Sequence, residues 1–90
     1  MTTSCTLEIV NKLGLHARAA AQFVQTASNF QSHIEIQKGH RRVNGKSIMG
    51  VMMLAAAKGS EITIYAEGCD AEESLAKLQE LVNNRFNEDE

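Results

Sequence analysis

The stretch that decides the fold is "EITIYAEGCDAEESLAKLQELVNNRF", Glu61 to Phe86. Its opening alternates. Ile62, Ile64 and Ala66 point one way, and Glu61, Thr63, Tyr65 and Glu67 the other. That period of two predicts a strand with one buried face. After Gly68 the period changes: Leu75, Leu78, Val82 and Phe86 recur at helical spacing and predict a helix running to Phe86. Asp70 and Glu73 have the offset of a capping box, with Asp in the place of the usual Ser or Thr. A half-buried strand handing straight over to an amphipathic helix predicts a sheet covered by helices.

Working outward, the same two periods recur. "CTLEIV" puts Cys5, Leu7 and Ile9 on one face and Thr6, Glu8 and Val10 on the other, a second half-buried strand. Gly14 breaks that pattern. From Ala17 to Ala27 small and apolar residues return at helical spacing, with Ala20, Phe23, Val24 and Ala27 as the stripe. "HIEIQ" alternates again around Ile34 and Ile36, and "KGH" turns the chain into "RRV" as a hairpin. "SIMGVMMLAAA" is a short apolar helix opened by Ser47, an N-cap residue type, with Val51, Leu54 and Ala55 available for its inner face. Gly59 stops it. "NEDE", at the end, reads as an acidic, frayed tail.

The order is therefore βαββαβα, an α+β layer pair. Right-handed crossovers that each leave a gap of one strand give the sheet order 1-4-2-3, antiparallel throughout. Ninety residues make one domain over residues 1–90.

The formal net charge of −2 offers no field for nucleic acid. The cluster His40, Arg41 and Arg42 lacks interleaved aromatics and reads as a solvated turn. No apolar run reaches the ~20 residues that span a bilayer, and a signal peptide pattern is missing, so a cytoplasmic protein is expected. Cys5 and Cys69 match no metal or redox spacing and read as reduced core or near-core thiols.

One stretch asks for chemistry: "NKLGLHARAA", Asn11 to Ala20. His16 falls at the mouth of the first helix, where the leading N–H groups lack internal partners and the dipole is positive. Such a place holds an anion. A neutral imidazole is a usable nucleophile near pH 7, and Arg18 can bring a planar donor fork to the same spot. The plainer reading, a capping or solvated histidine, stays open on spacing alone. No ligand set surrounds His16 at zinc spacing. "NGKS" ends like a P-loop, but the glycine required five residues before Gly45 is His40, so nucleotide binding is rejected.

"LGLHARAA", followed some thirty residues later by "VNGKSIMGVMMLAAAKGSEI", resembles the HPr family, the histidine phosphocarriers of the bacterial sugar phosphotransferase system. The likeness runs from Thr6 to Phe86. It implies an open-faced β-sandwich, and phosphorylation of His16 on ring Nδ1 by enzyme I, itself charged from phosphoenolpyruvate. His16 then passes the group to an enzyme IIA, with Arg18 assisting on the phosphate and no cofactor needed. It implies docking through the first two helices: Ala17, Val24, Lys46, Ile48, Met49 and Met52, with Ile48, Met49 and Met52 as an exposed patch and Lys46 and Arg18 as its positive rim. It also implies that Ser47, whose local role is N-cap, is a regulatory site for an HPr kinase/phosphorylase. A phosphate there adds about −1.5 to −2 charges and switches partners, a transcription regulator among them. The family motif usually has proline after the arginine; here Ala19 takes its place and still supports a helix. A monomer is expected. The resemblance leaves room for a nitrogen-branch or catabolite-control protein that acts mainly by binding. No carboxylate is obviously placed to activate water, so independent turnover of a small substrate is not expected.

Overall fold

The computed structural model describes residues 2–90. Strand β1 (Thr2–Glu8) leads to helix α1 (Ala17–Ala27), the hairpin β2 (His33–Lys38) and β3 (Arg41–Asn44), helix α2 (Ile48–Met53), strand β4 (Glu61–Glu67) and helix α3 (Ala71–Asn83). A short 3-10 turn, Arg85–Asn87, follows. The four strands form one antiparallel sheet in the order β1-β4-β2-β3, as the crossover argument predicts.

The register makes the alternation count. Ile64 lies between Cys5 and Ile36, and Ala66 beside Ile34. Ile34, Ile36, Ile62 and Ile64 are fully buried, and the helices cover that face with Phe23, Leu75, Leu78 and Val82. Full burial of each large side chain is worth about 1.5–3 kcal/mol. The opposite face is polar: Thr6 bonds Thr63 across strands at 3.0 Å, and the Tyr65 hydroxyl donates to Gln37 at 3.0 Å. The sandwich is open-faced, with helices on one side only.

Five expectations need correction. Helix α3 stops at Asn83 rather than Phe86. Arg85, Phe86 and Asn87 take left-handed backbone (φ 57°, 53° and 64°), which folds Phe86 back into the core at 1% exposure. Asp70 starts α3 but caps nothing with its side chain. Its carboxylate instead accepts from the Gln31 and Ser32 amides, both at 2.9 Å, and from the Ser32 hydroxyl. A partner 38 residues away outcompetes the local capping box. Of the cluster read as a solvated turn only His40 lies in the turn: Arg41 and Arg42 are in β3, where the hairpin reading of "RRV" puts them, and Arg42 stacks on the Tyr65 ring at 3.7 Å and pairs with Glu35 at 2.6 Å. Ala56, not Ala55, fills the core after α2, since a left-handed Ala55 (φ 50°) turns the chain there. Cys69 is exposed in the turn before α3, whereas Cys5 is half-buried, and burial raises its thiol pKa.

Candidate functional site

The site is built by the segment between β1 and α1. Gly14 has φ +69° and lies so close to Ala56 that a side chain would strike its carbonyl. The Leu15 amide donates to that same carbonyl at 2.8 Å, and Leu15 is buried. The loop is therefore anchored immediately before His16.

His16 is the N-cap residue of α1, with extended backbone (φ −75°, ψ −178°) and a side chain that caps nothing. The first helical hydrogen bond runs from the Ala20 amide to the His16 carbonyl at 2.8 Å. The amides of Ala17, Arg18 and Ala19 precede it and have no intrahelical acceptor. The His16 side chain is 28% exposed. Ala17 and Arg18 are exposed, and Ala19 is buried within an intact helix, so the alanine serves where proline is usual. Arg18 faces an open cleft shared with Lys12, Leu13 and the segment from Asn87 to Glu90.

That last segment is the largest surprise. The expected frayed tail is folded onto the site. Glu88 bonds the His16 Nε2 with one carboxylate oxygen and accepts from the Asn11 side-chain amide at 2.9 Å with the other. Lys12 ties down Glu90 twice, backbone amide to carbonyl at 2.9 Å and ammonium to carboxylate at 3.0 Å. Loss of water pushes the Glu88 carboxyl pKa up. The bonds from Asn11 and His16, with the charges of His16 and Arg18, outweigh that and hold it below its ordinary value. Asn11 is wholly buried. It also donates to the Gly14 carbonyl at 2.9 Å, while its own oxygen finds no partner among the described residues.

Helix α2 packs beside α1. Ser47 is its N-cap and accepts from the Gly50 amide at 3.1 Å, the capping role its position predicts. Val51 and Leu54 turn inward, which leaves Ile48, Met49 and Met52 at 44%, 74% and 39% exposure. Met53 and Leu13 are also exposed apolar residues near these helices. Val24 is half-buried against the core. Lys46 is not a free cation: its ammonium donates to the Phe30 carbonyl at 2.7 Å. Sequence reasoning missed Asn11, Leu13 and Glu88. Asn11 alone carried a signal, as an amide just before a turn.

Fold and site together define a class: a small open-faced α+β sandwich that presents a histidine at a helix mouth beside an apolar patch. The chain matches the family described as the PTS HPr component phosphorylation site over residues 3–84. It is 55% identical over 84 residues to the phosphocarrier protein HPr of Neisseria meningitidis, covering 93% of this chain and 94% of that one. It is 53% identical over 83 residues to HPr of Xylella fastidiosa, covering 92% and 93%. The crystal structure of HPr-C-His from Thermoanaerobacter tengcongensis superposes with TM-score 0.94 at 48% identity, covering 98% and 99%. Crh, the catabolite repression containing protein of Bacillus subtilis, solved as a swapped dimer, gives TM-score 0.75 at 46% identity, covering 88% and 91%. The chain belongs to the HPr family, the phosphocarriers of the phosphotransferase system. No helix among the described residues is long and apolar enough to cross a membrane.

Proposed function

We propose that this single domain accepts a phosphoryl group from phosphorylated enzyme I on His16 and hands it to an enzyme IIA. One observation carries the reading: His16 presents its ring at the start of α1, ahead of three amides with no helical acceptor. The other two histidines lack that setting. His33 pairs with Glu35 at 3.2 Å on the open face of the sheet, and His40 sits exposed in the β2–β3 turn. Arg18, exposed in the first turn of α1 and lining the cleft, supplies a cation for the arriving phosphate.

The protein binds its partners through α1 and α2. Ala17, Val24, Ile48, Met49 and Met52 supply apolar contact, and flexible methionines suit a surface that meets several partners in turn. Lys46 contributes its stem to the edge of that surface while its ammonium stays on Phe30. Ser47 is the regulatory position. A kinase that phosphorylates it replaces the bond to Gly50 with a dianion beside Ile48 and Met49, opposing acidic partners. The likeness to Crh supports a second reading, regulation led by binding, in which phosphorylated Ser47 recruits a transcription regulator. The protein acts as a monomer in the cytoplasm.

The test is direct. With enzyme I and phosphoenolpyruvate the chain should take up an acid-labile, base-stable label, and His16→Ala should abolish it while the domain stays folded, with only the modest loss of stability that goes with its bond to Glu88. A folded wild-type chain that takes no label overturns the proposal.

A further inference from the structure

We propose that Glu88 and Asn11 are positioning residues for phosphoryl transfer: the Glu88 carboxylate holds the His16 ring with its proton on Nε2, leaving the lone pair on Nδ1 for phosphorus. This rests on His16 being the acceptor.

A neutral imidazole has one N–H donor and one bare acceptor nitrogen. A carboxylate only accepts, so the nitrogen facing Glu88 must carry the hydrogen. The other nitrogen, Nδ1, is then the nucleophile by elimination. Glu88 is held on its far side by the Asn11 amide at 2.9 Å, and Asn11 is itself pinned to the Gly14 carbonyl at 2.9 Å. The Asn11 side chain is fully buried, yet its oxygen has no partner among the described residues. Both of its hydrogens serve instead to join the loop to the carboxylate. An orphaned buried acceptor asks for an explanation, and this pair of bonds provides one. The two clasps between Lys12 and Glu90 hold the tail in place. The carboxylate thus reaches the ring from 72 residues away in sequence. Arg18, Lys12, Asp89 and Glu90 are the other charged groups around this cleft.

In the transfer step the Nδ1 lone pair forms the N–P bond. The bond between phosphorus and the donor breaks, and its electron pair stays with the donor. The ring becomes cationic, with its proton still on Nε2 against the Glu88 carboxylate. When the group moves on, the N–P bond breaks and its pair returns to Nδ1. The Nε2 proton neither leaves nor arrives. A fixed negative charge meets the positive charge that develops on the ring, as the carboxylate of a catalytic triad does for its histidine.

The test uses the intact chain. Proton–nitrogen NMR of the unphosphorylated protein at alkaline pH should show the Nε2–H tautomer in wild type and a mixture in Glu88→Ala. The rate of transfer from phosphorylated enzyme I should fall about tenfold in Glu88→Ala, the scale of one charge-assisted hydrogen bond. Glu88→Gln removes the charge and keeps one acceptor oxygen where the carboxylate offers two, one to His16 and one to Asn11. It should recover only part of the rate. Asn11→Ala should act in the same direction as Glu88→Ala, but it also removes a buried loop bond, so the Glu88 variants decide. A Glu88→Ala protein with wild-type tautomer and rate overturns the proposal. So does one that transfers faster, which would make the tail a cover rather than a support. A wild-type chain that takes no phosphoryl group removes the carrier reading itself, while the tautomer measurement, made without phosphate, still decides the contact.

Discussion

Replacing Gly14 with alanine should unseat the loop that presents His16. The backbone there has φ +69°, and an added Cβ would lie 2.4 Å from the Ala56 carbonyl oxygen and 2.9 Å from the Ala57 Cα. Both are backbone atoms, so neither can rotate aside. The left-handed conformation costs a residue with a side chain about 1–2 kcal/mol. Forcing atoms against a fixed wall costs about 1–3 kcal/mol more. Loosening the Leu15 bond to Ala56, now 2.8 Å, costs about 1 kcal/mol. The reduced entropy of the unfolded chain returns about 0.4–1 kcal/mol. The net loss is roughly 2–6 kcal/mol, a large share of the stability of so small a domain. Gly39 is the control: its φ is +61°, but nothing lies within 4 Å of the added Cβ. Gly39→Ala therefore loses only the conformational part, about 0–1.6 kcal/mol. Urea unfolding followed by circular dichroism measures both, and at an m-value of about 1–2 kcal/mol per M the Gly14→Ala midpoint should fall by at least about 1 M. Equal losses in the two variants would refute the claim that backbone contact with Ala56 seats the loop.

The remaining predictions concern docking, acid stability and the core. Met49 is 74% exposed, so Met49→Ala should leave stability within about 0.5 kcal/mol of wild type. If a partner covers it, about 1–2 kcal/mol of apolar contact is lost, a drop in affinity of about 5–30-fold by calorimetry with enzyme I or enzyme IIA; an unchanged Kd contradicts the docking surface. Asp70 is held below its ordinary pKa, first by the Ser32 hydroxyl and then by the Gln31 amide, and Glu35 by bonds from His33 and Arg42. Both are depressed in the folded state. Their contribution is full above the unfolded pKa of about 4 and lost as pH falls through the folded value. Asp70→Asn should therefore flatten the acid limb of stability measured below about pH 4 and destabilise at neutral pH; an unchanged limb would show that the Ser32 contact is not formed. Phe23 is fully buried, and Phe23→Ala should cost about 3–5 kcal/mol by urea unfolding. A loss under about 1 kcal/mol would place that ring outside the core.

What the sequence made legible was whatever a repeating burial pattern records. Ile62, Ile64, Ile34 and Ile36 announced their strands because each has one wet and one dry face, and Leu75, Leu78 and Val82 announced α3 in the same way. His16 was legible because its place at a helix mouth is a local fact. What stayed hidden was set by contacts between distant residues. Glu88 looks like any terminal acid until the left-handed turn at Arg85–Asn87 swings it across to Asn11 and His16. Asp70 reads as a cap until Ser32 comes within reach. Arg42 reads as solvated until Tyr65 lies beneath it. In each case the local pattern was present, and a tertiary partner outbid it.

The central claim concerns which nitrogen carries phosphorus. Phosphorus NMR and peptide mapping of the chain charged by enzyme I should find one phosphoryl group per molecule, on Nδ1 of His16 and on neither His33 nor His40. A charged chain bearing the group on either other histidine, or on the Nε2 that faces Glu88, would contradict the account.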